Sequence, residues 1–168
     1  LEFIEGPTLR QIFDLFALSA DEATPLFIQM LEGLRALHEN GVLHRDLKPQ
    51  NMIMRPTGQL KILDFGIAKI IGDTEGEKTS VGTFKGTITY TAPEVAAGLP
   101  ASVQSDIWSV GAIFYEALVG RRLIPLQDSG NFLQMLEQVK NLDLKFPQEC
   151  VTRIPATLQA IVTKMCAR

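Results

Sequence analysis

The spacing of apolar residues predicts helices along most of the chain. In ATPLFIQMLEGLRALHEN (23–40), apolar residues recur every three or four positions, as they do on one face of a helix. These residues are Leu26, Phe27, Met30, Leu31, Leu34 and Leu37. Ser19 and Glu22 form a capping-box pattern before this helix, and Asn40–Gly41 is a typical helix end. We interpret the apolar stripe as core packing.

Further stretches also show helical patterns. LRQIFDLFAL (9–18) predicts a short helix, and amphipathic helices are predicted near 129–140 and 155–167. SVQSDIWSVGAIFYEALVG (102–120) is apolar on nearly every face. This pattern predicts a deeply buried helix, with Gly120 as its natural end.

Two short apolar runs predict a β-hairpin. MIM (52–54) and LKIL (60–63) flank a turn that contains proline and glycine. From 72 to 86 the sequence is polar, rich in glycine and threonine, and without periodicity, which predicts a long loop. The pattern as a whole predicts an α+β fold that is mainly helical and carries small β-hairpins.

Composition narrows the function classes. The chain has 168 residues, of which 46% are hydrophobic, and this is enough for one domain with a sizeable core. Sixteen basic and nineteen acidic residues give a net charge of −3, so we expect neither nucleic-acid binding nor membrane contact by this segment. The most apolar stretch, 107–120, is too short for a membrane span and contains Glu116.

Cysteine use and the chain ends add two expectations. Cys150 and Cys166 lack metal-site or redox-motif spacing, which favours reduced thiols in the core and a cytoplasmic location. The sequence starts without Met in a strand-like pattern, LEFIEG, and it stops inside the helical pattern IVTKMCAR. We therefore expect the chain to be a piece of a longer protein, in which a membrane anchor elsewhere is possible.

The segment HRDLKPQN (44–51) places several chemically active groups next to the predicted hairpin. If 52–54 pairs with 60–63, Asn51 and Asp64 lie side by side at the open end, with Asp46 and Lys48 just upstream. Amide and carboxylate oxygens suit Mg²⁺, and a lysine suits a polyanion. This set of groups is typical of phosphoryl transfer, which requires positioning and charge neutralisation.

Each of these residues alone also has a purely structural interpretation. An Asp or Asn beside a turn is usually a turn former, and a single Lys is usually solvated. The combination, and not any single residue, favours the functional interpretation.

Three motifs carry a resemblance to a known family. HRDLKPQN, DFG (64–66) and APE (92–94), in this order, resemble the catalytic loop, the metal motif and the activation-segment end of protein kinases. GTITYTAPE and SDIWSVGAIFYEALVG strengthen the resemblance. The phrasing GVLHRDLKPQNMIM…LKILDFGIAK is most similar to bacterial serine/threonine kinases of the eukaryotic-like (Hanks) type.

The resemblance implies a domain organisation. Residues 1–8 would be the interlobe hinge, and 9–168 would be the helical C-lobe, truncated before its last helices, with an activation segment at 64–94. Nothing in the chain matches the N-lobe's Gly-rich loop, strand lysine or helix glutamate. The N-lobe would lie upstream of Leu1 in the same polypeptide, and the fragment by itself is expected to be inactive or nearly so.

The resemblance also implies catalytic roles, with ATP and Mg²⁺ as cofactors. Asp46 would be the catalytic base for the substrate hydroxyl, and Lys48 would steady the γ-phosphate. Asn51 and Asp64 would hold Mg²⁺. Thr87 would hydrogen-bond the catalytic Asp and Lys.

Nucleotide contacts are implied mostly through the backbone. Leu1 would be the gatekeeper, the Glu2 carbonyl and the Ile4 amide would face the adenine edge, and Ile53 would form the floor under the ring. Apolar walls with a few fixed polar groups suit such a pocket.

Further residues are expected to hold the geometry. His44 and Phe65 match positions in the regulatory hydrophobic column, and Asp106 matches the residue that anchors the catalytic-loop backbone. Glu94 matches a carboxylate whose arginine partner would lie beyond Arg168, so we expect a buried charge without its usual partner. His38 is interpreted as a packing or helix-end residue without chemistry.

A regulatory role is implied for Arg45. A basic residue beside the catalytic Asp is typical of kinases that are switched on by activation-loop phosphorylation, because the phosphate pairs with it. Thr83 is at the matching position, with Thr79 and Ser80 as alternatives.

Three functions therefore stay open from the sequence. The first is a serine/threonine kinase that uses ATP and a protein substrate. The second is a non-catalytic pseudokinase or scaffold with a defective N-lobe. A small-molecule phosphotransferase is the third, and it is disfavoured by Arg45 and by the DFG and APE motifs.

Overall fold

The computed structural model describes residues 4–63, 88–125 and 132–167, without the side chains of residues 132 and 133. Within these ranges the helices are α1 (Leu9–Phe13), α2 (Ala20–Glu39), α3 (Pro93–Ala96), α4 (Val103–Val119), α5 (Phe132–Lys140), α6 (Gln148–Val151) and α7 (Ala156–Met165). The strands are β1 (Met52–Met54) and β2 (Leu60–Ile62), and 3₁₀ turns occupy Pro49–Asn51 and Ile88–Tyr90. The predicted fold class, mainly helical with a small antiparallel sheet, is confirmed. The loop predicted at 72–86 lies outside the described residues.

Helix α4 lies at the centre of the core. Thirteen of its seventeen residues are buried, as the nearly uniform apolar pattern predicted. Ser102 caps its start by accepting a hydrogen bond from the Ser105 amide, and Gly120 ends it in the left-handed conformation with φ 80°. Four of the buried residues of α4 are polar, namely Ser105, Asp106, Ser109 and Glu116.

Helix α2 packs against α4 with the face that the sequence predicted. Phe27, Met30 and Leu34 are almost fully buried, and the Phe27 ring stacks on Phe114 of α4. The capping box is present, since the Ser19 amide donates to Glu22 at 2.8 Å and the Glu22 amide donates back to Ser19.

Helix α1 is shorter than the predicted helix 9–18, which was wrong beyond Phe13. The Leu18 amide donates to the Ala117 carbonyl of α4 at 2.7 Å, so the chain leaves the helical path to reach α4. Leu15 and Phe16 are therefore 79% and 53% exposed, although their spacing suits a helix.

The hairpin forms between the two predicted runs. Met52 pairs with Ile62 and Met54 with Leu60, in antiparallel orientation. The Leu63 amide donates to the Asn51 carbonyl at 2.8 Å, which continues the pairing beyond the strands. On α2, the Gln29 side chain holds the other end of the hairpin, because it bonds the Gly58 carbonyl and the Leu60 amide.

The first described residues lie against β1. The Met54 amide donates to the Pro7 carbonyl at 2.9 Å, and Thr8 is bridged to Ile53. Gly6 has φ 142°, and a Cβ there would be 2.0 Å from the Met54 carbonyl oxygen. Only glycine fits this crossing, which places Ile4–Thr8 beside the hairpin.

The loop between α2 and β1 contains an unfavourable backbone conformation. Arg45 has φ 66°, and among the described residues it is the one non-glycine residue with positive φ. This conformation costs about 1–2 kcal/mol for a residue with a Cβ, so the loop must be held by contacts elsewhere.

Both cysteines are free and buried, which confirms the prediction of core thiols. Burial raises the pKa of the Cys166 thiol to about 12, so this thiol stays protonated at neutral pH.

In the described part of the chain, none of the helices has the length and apolar character that a membrane span needs.

Replacing Gly111 with Ala tests the packing of α7 on α4. A Cβ at Gly111 would be 2.7 Å from Cys166 Sγ and 2.9 Å from Met165 Cβ. Although Gly→Ala inside a helix gains about 1 kcal/mol in propensity, overpacking costs about 1–3 kcal/mol, so we expect a lower free energy of unfolding in urea. Gly33→Ala is the control, because its Cβ would meet only the flexible end of Ile62 at 3.1 Å. Equal stability changes in the two variants would contradict the packing argument.

The conformation of Arg45 is tested by comparing Arg45→Gly with Arg45→Ala. Both variants lose the same side chain, so the difference between them reports the backbone alone. Glycine relieves the strain of the positive φ, but it also raises the entropy of the unfolded chain. The net effect should make Arg45→Gly about 0.5–1 kcal/mol more stable than Arg45→Ala. Urea unfolding measures the difference, and a less stable Gly variant would exclude strain at this position.

Candidate active site

The segment HRDLKPQN forms a tight loop that gathers three of the predicted side chains. Lys48 is extended, as expected before a proline, and Pro49 starts the 3₁₀ turn that reverses the chain. Lys48 Nζ then lies 2.7 Å from Asp46 Oδ2. Asn51 Nδ2 donates to the Asp46 carbonyl at 3.1 Å and to Asp46 Oδ2 at 3.3 Å. The structure therefore brings Asp46, Lys48 and Asn51 together.

This cluster is buried at Asn51 and accessible to solvent at Asp46 and Lys48. Asn51 is 7% exposed, whereas the Asp46 and Lys48 side chains are 41% and 23% exposed. Within the described ranges, the side chains of Lys48 and Asn51 both contact the Asp46 carboxylate at Oδ2. The carboxylate is thus oriented through one oxygen and compensated by an ammonium group, while it stays within reach of a molecule from solvent.

The residues at the open end of the hairpin suit a magnesium ion. The Asn51 amide group uses its nitrogen on Asp46, so its oxygen is directed elsewhere. The Asn51 main chain pairs with Leu63, the residue that precedes Asp64. Amide and carboxylate oxygens are ligands that Mg²⁺ accepts in proteins, so the donor set fits this ion. Asp64 itself lies outside the described residues.

The backbone of this loop is held by Asp106, in the first turn of α4. Asp106 Oδ2 accepts the His44 amide at 2.9 Å, and Oδ1 accepts the Arg45 amide at 2.9 Å. Asp106 is 2% exposed, so these are buried, charge-assisted hydrogen bonds. They fix the backbone at the strained Arg45, directly before Asp46.

His44 connects the same loop to the hairpin. Its ring is fully buried, with Nε2 3.0 Å from the Leu63 carbonyl and Nδ1 3.4 Å from the Asp46 amide. Because a carbonyl only accepts, Nε2 carries the hydrogen and Nδ1 receives the amide of Asp46. His44 therefore fixes the position of the Asp46 backbone relative to Leu63, the residue that follows β2.

His38 has a contact that sequence analysis missed. Its Nε2 lies 2.9 Å from Asp106 Oδ2, and its side chain is 12% exposed. The two residues are 68 positions apart, so no local pattern could have paired them.

A second buried polar cluster lies around Glu116 of α4. Glu116 Oε1 lies 2.7 Å from Arg10 Nη1 and 3.6 Å from Arg122 Nε, and the Tyr90 hydroxyl donates to Oε2. Burial, together with the adjacent Glu116 carboxylate, raises the pKa of Tyr90, which therefore stays a neutral donor. For Arg10, burial alone would lower the pKa, but the bond and charge of Glu116 leave it raised.

Tyr90 is fixed at both of its ends. Its hydroxyl bonds Glu116, and its carbonyl accepts a hydrogen bond from Ser109 Oγ at 2.7 Å. A cavity of about 20 Å³, large enough for one water molecule, lies between Asp46, the segment 90–92 and the start of α4. The segment 90–92 is thus held on α4 beside Asp46.

Glu94 was expected to be a buried carboxylate without its usual arginine partner. It is only partly buried, and Ser105 Oγ donates to its Oε1 at 2.5 Å, which is a contact that the sequence did not predict. The arginine was expected beyond Arg168, so that part stays a prediction. The hydrogen bond forms because Ser105 lies in the first turn of α4, next to the short helix α3 that carries Glu94.

Several predicted site residues are not placed. Ile4 and Ile53 are described and partly buried, and residues 7–8, which follow Ile4 in the chain, pair with β1. The predicted residues outside the described ranges are Leu1, Glu2, Asp64, Phe65, Thr79, Ser80, Thr83 and Thr87.

A cavity of about 570 Å³ lies away from this cluster, between the loop after α4 and helix α5. It is lined by Leu123, Ile124 and Pro125 and by six residues from Gln134 onward, the last of which is Asp143. Chemistry, and not cavity size, therefore identifies the candidate active site.

Comparisons with known proteins agree with the motifs. The protein kinase domain model matches residues 1–168. The probable serine/threonine-protein kinase PknB of Lactococcus lactis is 38% identical over 156 residues, which cover 88% of this chain and 24% of that protein. Serine/threonine-protein kinase PknA of Mycobacterium tuberculosis is 33% identical over 165 residues, 98% of this chain and 37% of that protein. Serine/threonine-protein kinase pkn2 of Myxococcus xanthus is 37% identical over 125 residues, 72% of this chain and 15% of that protein.

The chain spans well under half the length of these relatives. The similarity nevertheless extends over nearly all of this chain, and the family model matches it from the first residue to the last. The motifs, the helical fold with its hairpin, and these matches lead to one conclusion: this chain belongs to the protein kinase domain family, and its relatives include bacterial serine/threonine kinases.

Proposed function

We propose that this chain supplies the catalytic loop of an enzyme that transfers the γ-phosphate of ATP to serine or threonine hydroxyls of proteins. The observation that carries the proposal is the contact of Lys48 and Asn51 with Asp46 in a loop anchored by Asp106. The relatives are named serine/threonine kinases, and Lys48 in the DLKPxN pattern resembles that class more than tyrosine kinases.

Asp46 is the proposed acceptor of the hydroxyl proton. The substrate oxygen bonds to the γ-phosphorus, the bond from that phosphorus to the β,γ-bridging oxygen breaks, and ADP leaves. Since Lys48 and Asn51 contact Oδ2, the other carboxylate oxygen of Asp46 can receive the hydroxyl. Lys48 is proposed to move to the γ-phosphate and balance its charge, because its ammonium group is already at the site.

Asn51 and Asp64 are the proposed ligands of Mg²⁺, which when bound neutralises charge on the phosphates. Thr87 is proposed to hydrogen-bond Asp46 and Lys48. For the adenine, we propose the Glu2 carbonyl and the Ile4 amide as edge contacts, with Leu1 as gatekeeper and Ile53 as the floor. The bridge between Thr8 and Ile53 supports the proposed adenine site, because it brings the segment that follows Ile4 to the strand that carries Ile53.

The proposed organisation follows the family. Residues 1–8 are the hinge, 9–168 form the C-lobe, and 64–94 form the activation segment. The N-lobe that completes the ATP site is proposed to precede this chain, so the chain alone should be inactive. The buried, free thiols support a reducing compartment such as the cytoplasm.

A non-catalytic pseudokinase is the second candidate. It would keep the cluster around Asp46 but lack a competent partner lobe. Activity of the full-length protein separates the two candidates, because a scaffold transfers no phosphate.

Replacing Asp46 with Asn tests the proposed base. In the full-length protein, phosphate transfer from radiolabelled ATP to a protein substrate should fall by about 10²–10⁴-fold, because Asn cannot accept the proton. ATP binding with Mg²⁺ should stay near the wild-type value. Asp143→Asn is a matched control, since Asp143 also pairs with a lysine two positions later, Lys145, but on the surface. Full transfer by the Asp46 variant would exclude this mechanism, and a wild-type protein without transfer would favour the pseudokinase.

Activation by phosphorylation is proposed at Thr83, with Arg45 as the group that receives the phosphate. The position of Arg45, directly before Asp46 and bonded to Asp106, supports the proposal, because a phosphate bound there would act on the catalytic loop. Thr79 and Ser80 are the alternative acceptors.

Replacing Thr83 with Ala should lower turnover of the full-length protein by about tenfold or more, to the level of phosphatase-treated wild type. Thr79→Ala and Ser80→Ala serve as controls in the same loop. Mass spectrometry locates the phosphate, and initial rates report its effect. Unchanged turnover in the Thr83 variant would remove the proposal, and loss only in a control variant would move the site.

A further inference from the structure

The cluster around Glu116 lies next to the candidate active site. Arg10 of this cluster is on α1, which packs against the turn Pro49–Asn51 of the loop that carries Asp46. Tyr90, whose hydroxyl donates to Glu116, lines the same small cavity as Asp46. A protein segment whose hydroxyl group reaches Asp46 therefore lies close to the cluster.

We propose that Arg122, supported by Arg10, makes this kinase select protein substrates that carry an acidic residue, Asp or Glu, near the phosphorylated serine or threonine. The inference rests on the proposed function and names its substrate class. It depends on which groups of the cluster are closed to a substrate and which are open to it.

The Glu116 carboxylate is closed, because groups of the chain itself bind both of its oxygens. It is 3% exposed, its Oε1 lies 2.7 Å from Arg10 Nη1, and its Oε2 accepts the Tyr90 hydroxyl. A cation from a substrate would have to displace Arg10 and leave that guanidinium group buried without its partner, which is costly. Glu116 therefore offers no site for a basic substrate residue.

Arg122 meets the same carboxylate more loosely. Its Nε lies 3.6 Å from Glu116 Oε1, which is too long for a hydrogen bond, and its side chain is 23% exposed. Among the described residues, Glu116 is the one acid within ion-pair distance of Arg122. The terminal nitrogens of a guanidinium group bind a carboxylate through two parallel hydrogen bonds. Arg122 can therefore bind a carboxylate that arrives from solvent.

The balance of charge at the cluster also favours an anion. Two guanidinium groups, those of Arg10 and Arg122, share the single buried carboxylate of Glu116. Asp14 pairs with Arg10 at 2.9 Å, but its side chain is 62% exposed, so water screens its charge. Positive charge therefore remains at the accessible edge of the cluster. It attracts an acidic substrate residue and repels a basic one, so it contributes to selection in both directions.

Arg10 and Tyr90 hold this arrangement in place before a substrate arrives. Arg10 Nη1 lies 3.4 Å from the Tyr90 hydroxyl, and the Tyr90 carbonyl accepts a hydrogen bond from Ser109 of α4. Because Arg10 occupies Oε1 of Glu116, Arg122 is not drawn into a close pair with that oxygen. A site that is ordered in advance loses less entropy when it binds a substrate.

Peptide kinetics on the full-length protein test the inference. Each peptide carries one phosphoacceptor threonine, and the positions near it are occupied in turn by Asp, Asn or Arg. For the wild type we expect at least one position at which kcat/KM is about tenfold higher with Asp than with Asn, because a charge-assisted pair replaces a neutral contact. At the same position kcat/KM should be lower with Arg than with Asn.

The variants are compared by the ratio of kcat/KM for the Asp peptide to that for the Asn peptide. Arg122→Gln should lower this ratio to about one, and Arg122→Lys should give an intermediate ratio, because it keeps the charge but not the two parallel bonds. Arg121→Gln is the matched control, since Arg121 is the neighbouring arginine and pairs with Glu149 on the surface. This control should keep the wild-type ratio. A general loss of folded protein lowers both rates equally and leaves the ratio unchanged.

Several results would overturn the inference. These are a wild type without preference for Asp at any position, an Arg122→Gln variant that keeps the preference, and an Arg121→Gln variant that loses it as well. If Arg122→Gln does not fold, Arg122→Lys takes its place, and an unchanged ratio there would contradict the role of Arg122. A wild type that phosphorylates the neutral peptides without preferring Asp overturns this inference alone. A wild type that phosphorylates neither peptides nor proteins overturns the proposed function as well.

Discussion

The arrangement of the site depends on one buried carboxylate, Asp106. It lies in the first turn of the central helix α4, where a negative charge is favoured by the helix dipole, and it binds the amides of two successive loop residues, His44 and Arg45. A helix packed on most of its faces cannot shift easily, so its first turn is a rigid support for a loop without regular structure. Asp46, the residue that follows, takes its position from this support.

Other buried polar residues of α4 also hold neighbouring segments in place through hydrogen bonds. Ser109 and Glu116 are seven residues apart, hence on one face, and both hold Tyr90, one through its carbonyl and the other through its hydroxyl. Ser105 holds Glu94 in the same way. Buried polar groups are costly unless they are bonded, so this stripe makes the segment 88–94 dock in one place. A helix that is apolar on nearly every face in sequence is therefore also the frame on which the loop 44–51 and the segment 88–94 are aligned.

Much of the fold was predictable because its signals are local. The capping box at Ser19, the glycine end at Gly120 and the hairpin of the two apolar runs each depend on residues within a few positions of one another. The grouping of Asp46, Lys48 and Asn51 was predictable for the same reason, since a proline turn and a hairpin follow directly. Prediction failed for the end of α1, because the Leu18 amide bonds the Ala117 carbonyl of α4. It also missed the hydrogen bond from Ser105 to Glu94, because the two residues lie on different helices.

The sequence by itself determined most of the elements that form, the family that the chain resembles and the side chains that are candidates for the chemistry. Only the tertiary structure decided which distant residues meet at the buried carboxylates. His38 bonds Asp106, and Arg10 and Tyr90 bond Glu116. The physical reason is the range of the interactions. Caps, turns and periodicity operate over a few residues, whereas a buried charge collects its donors from any part of the chain that packs against it.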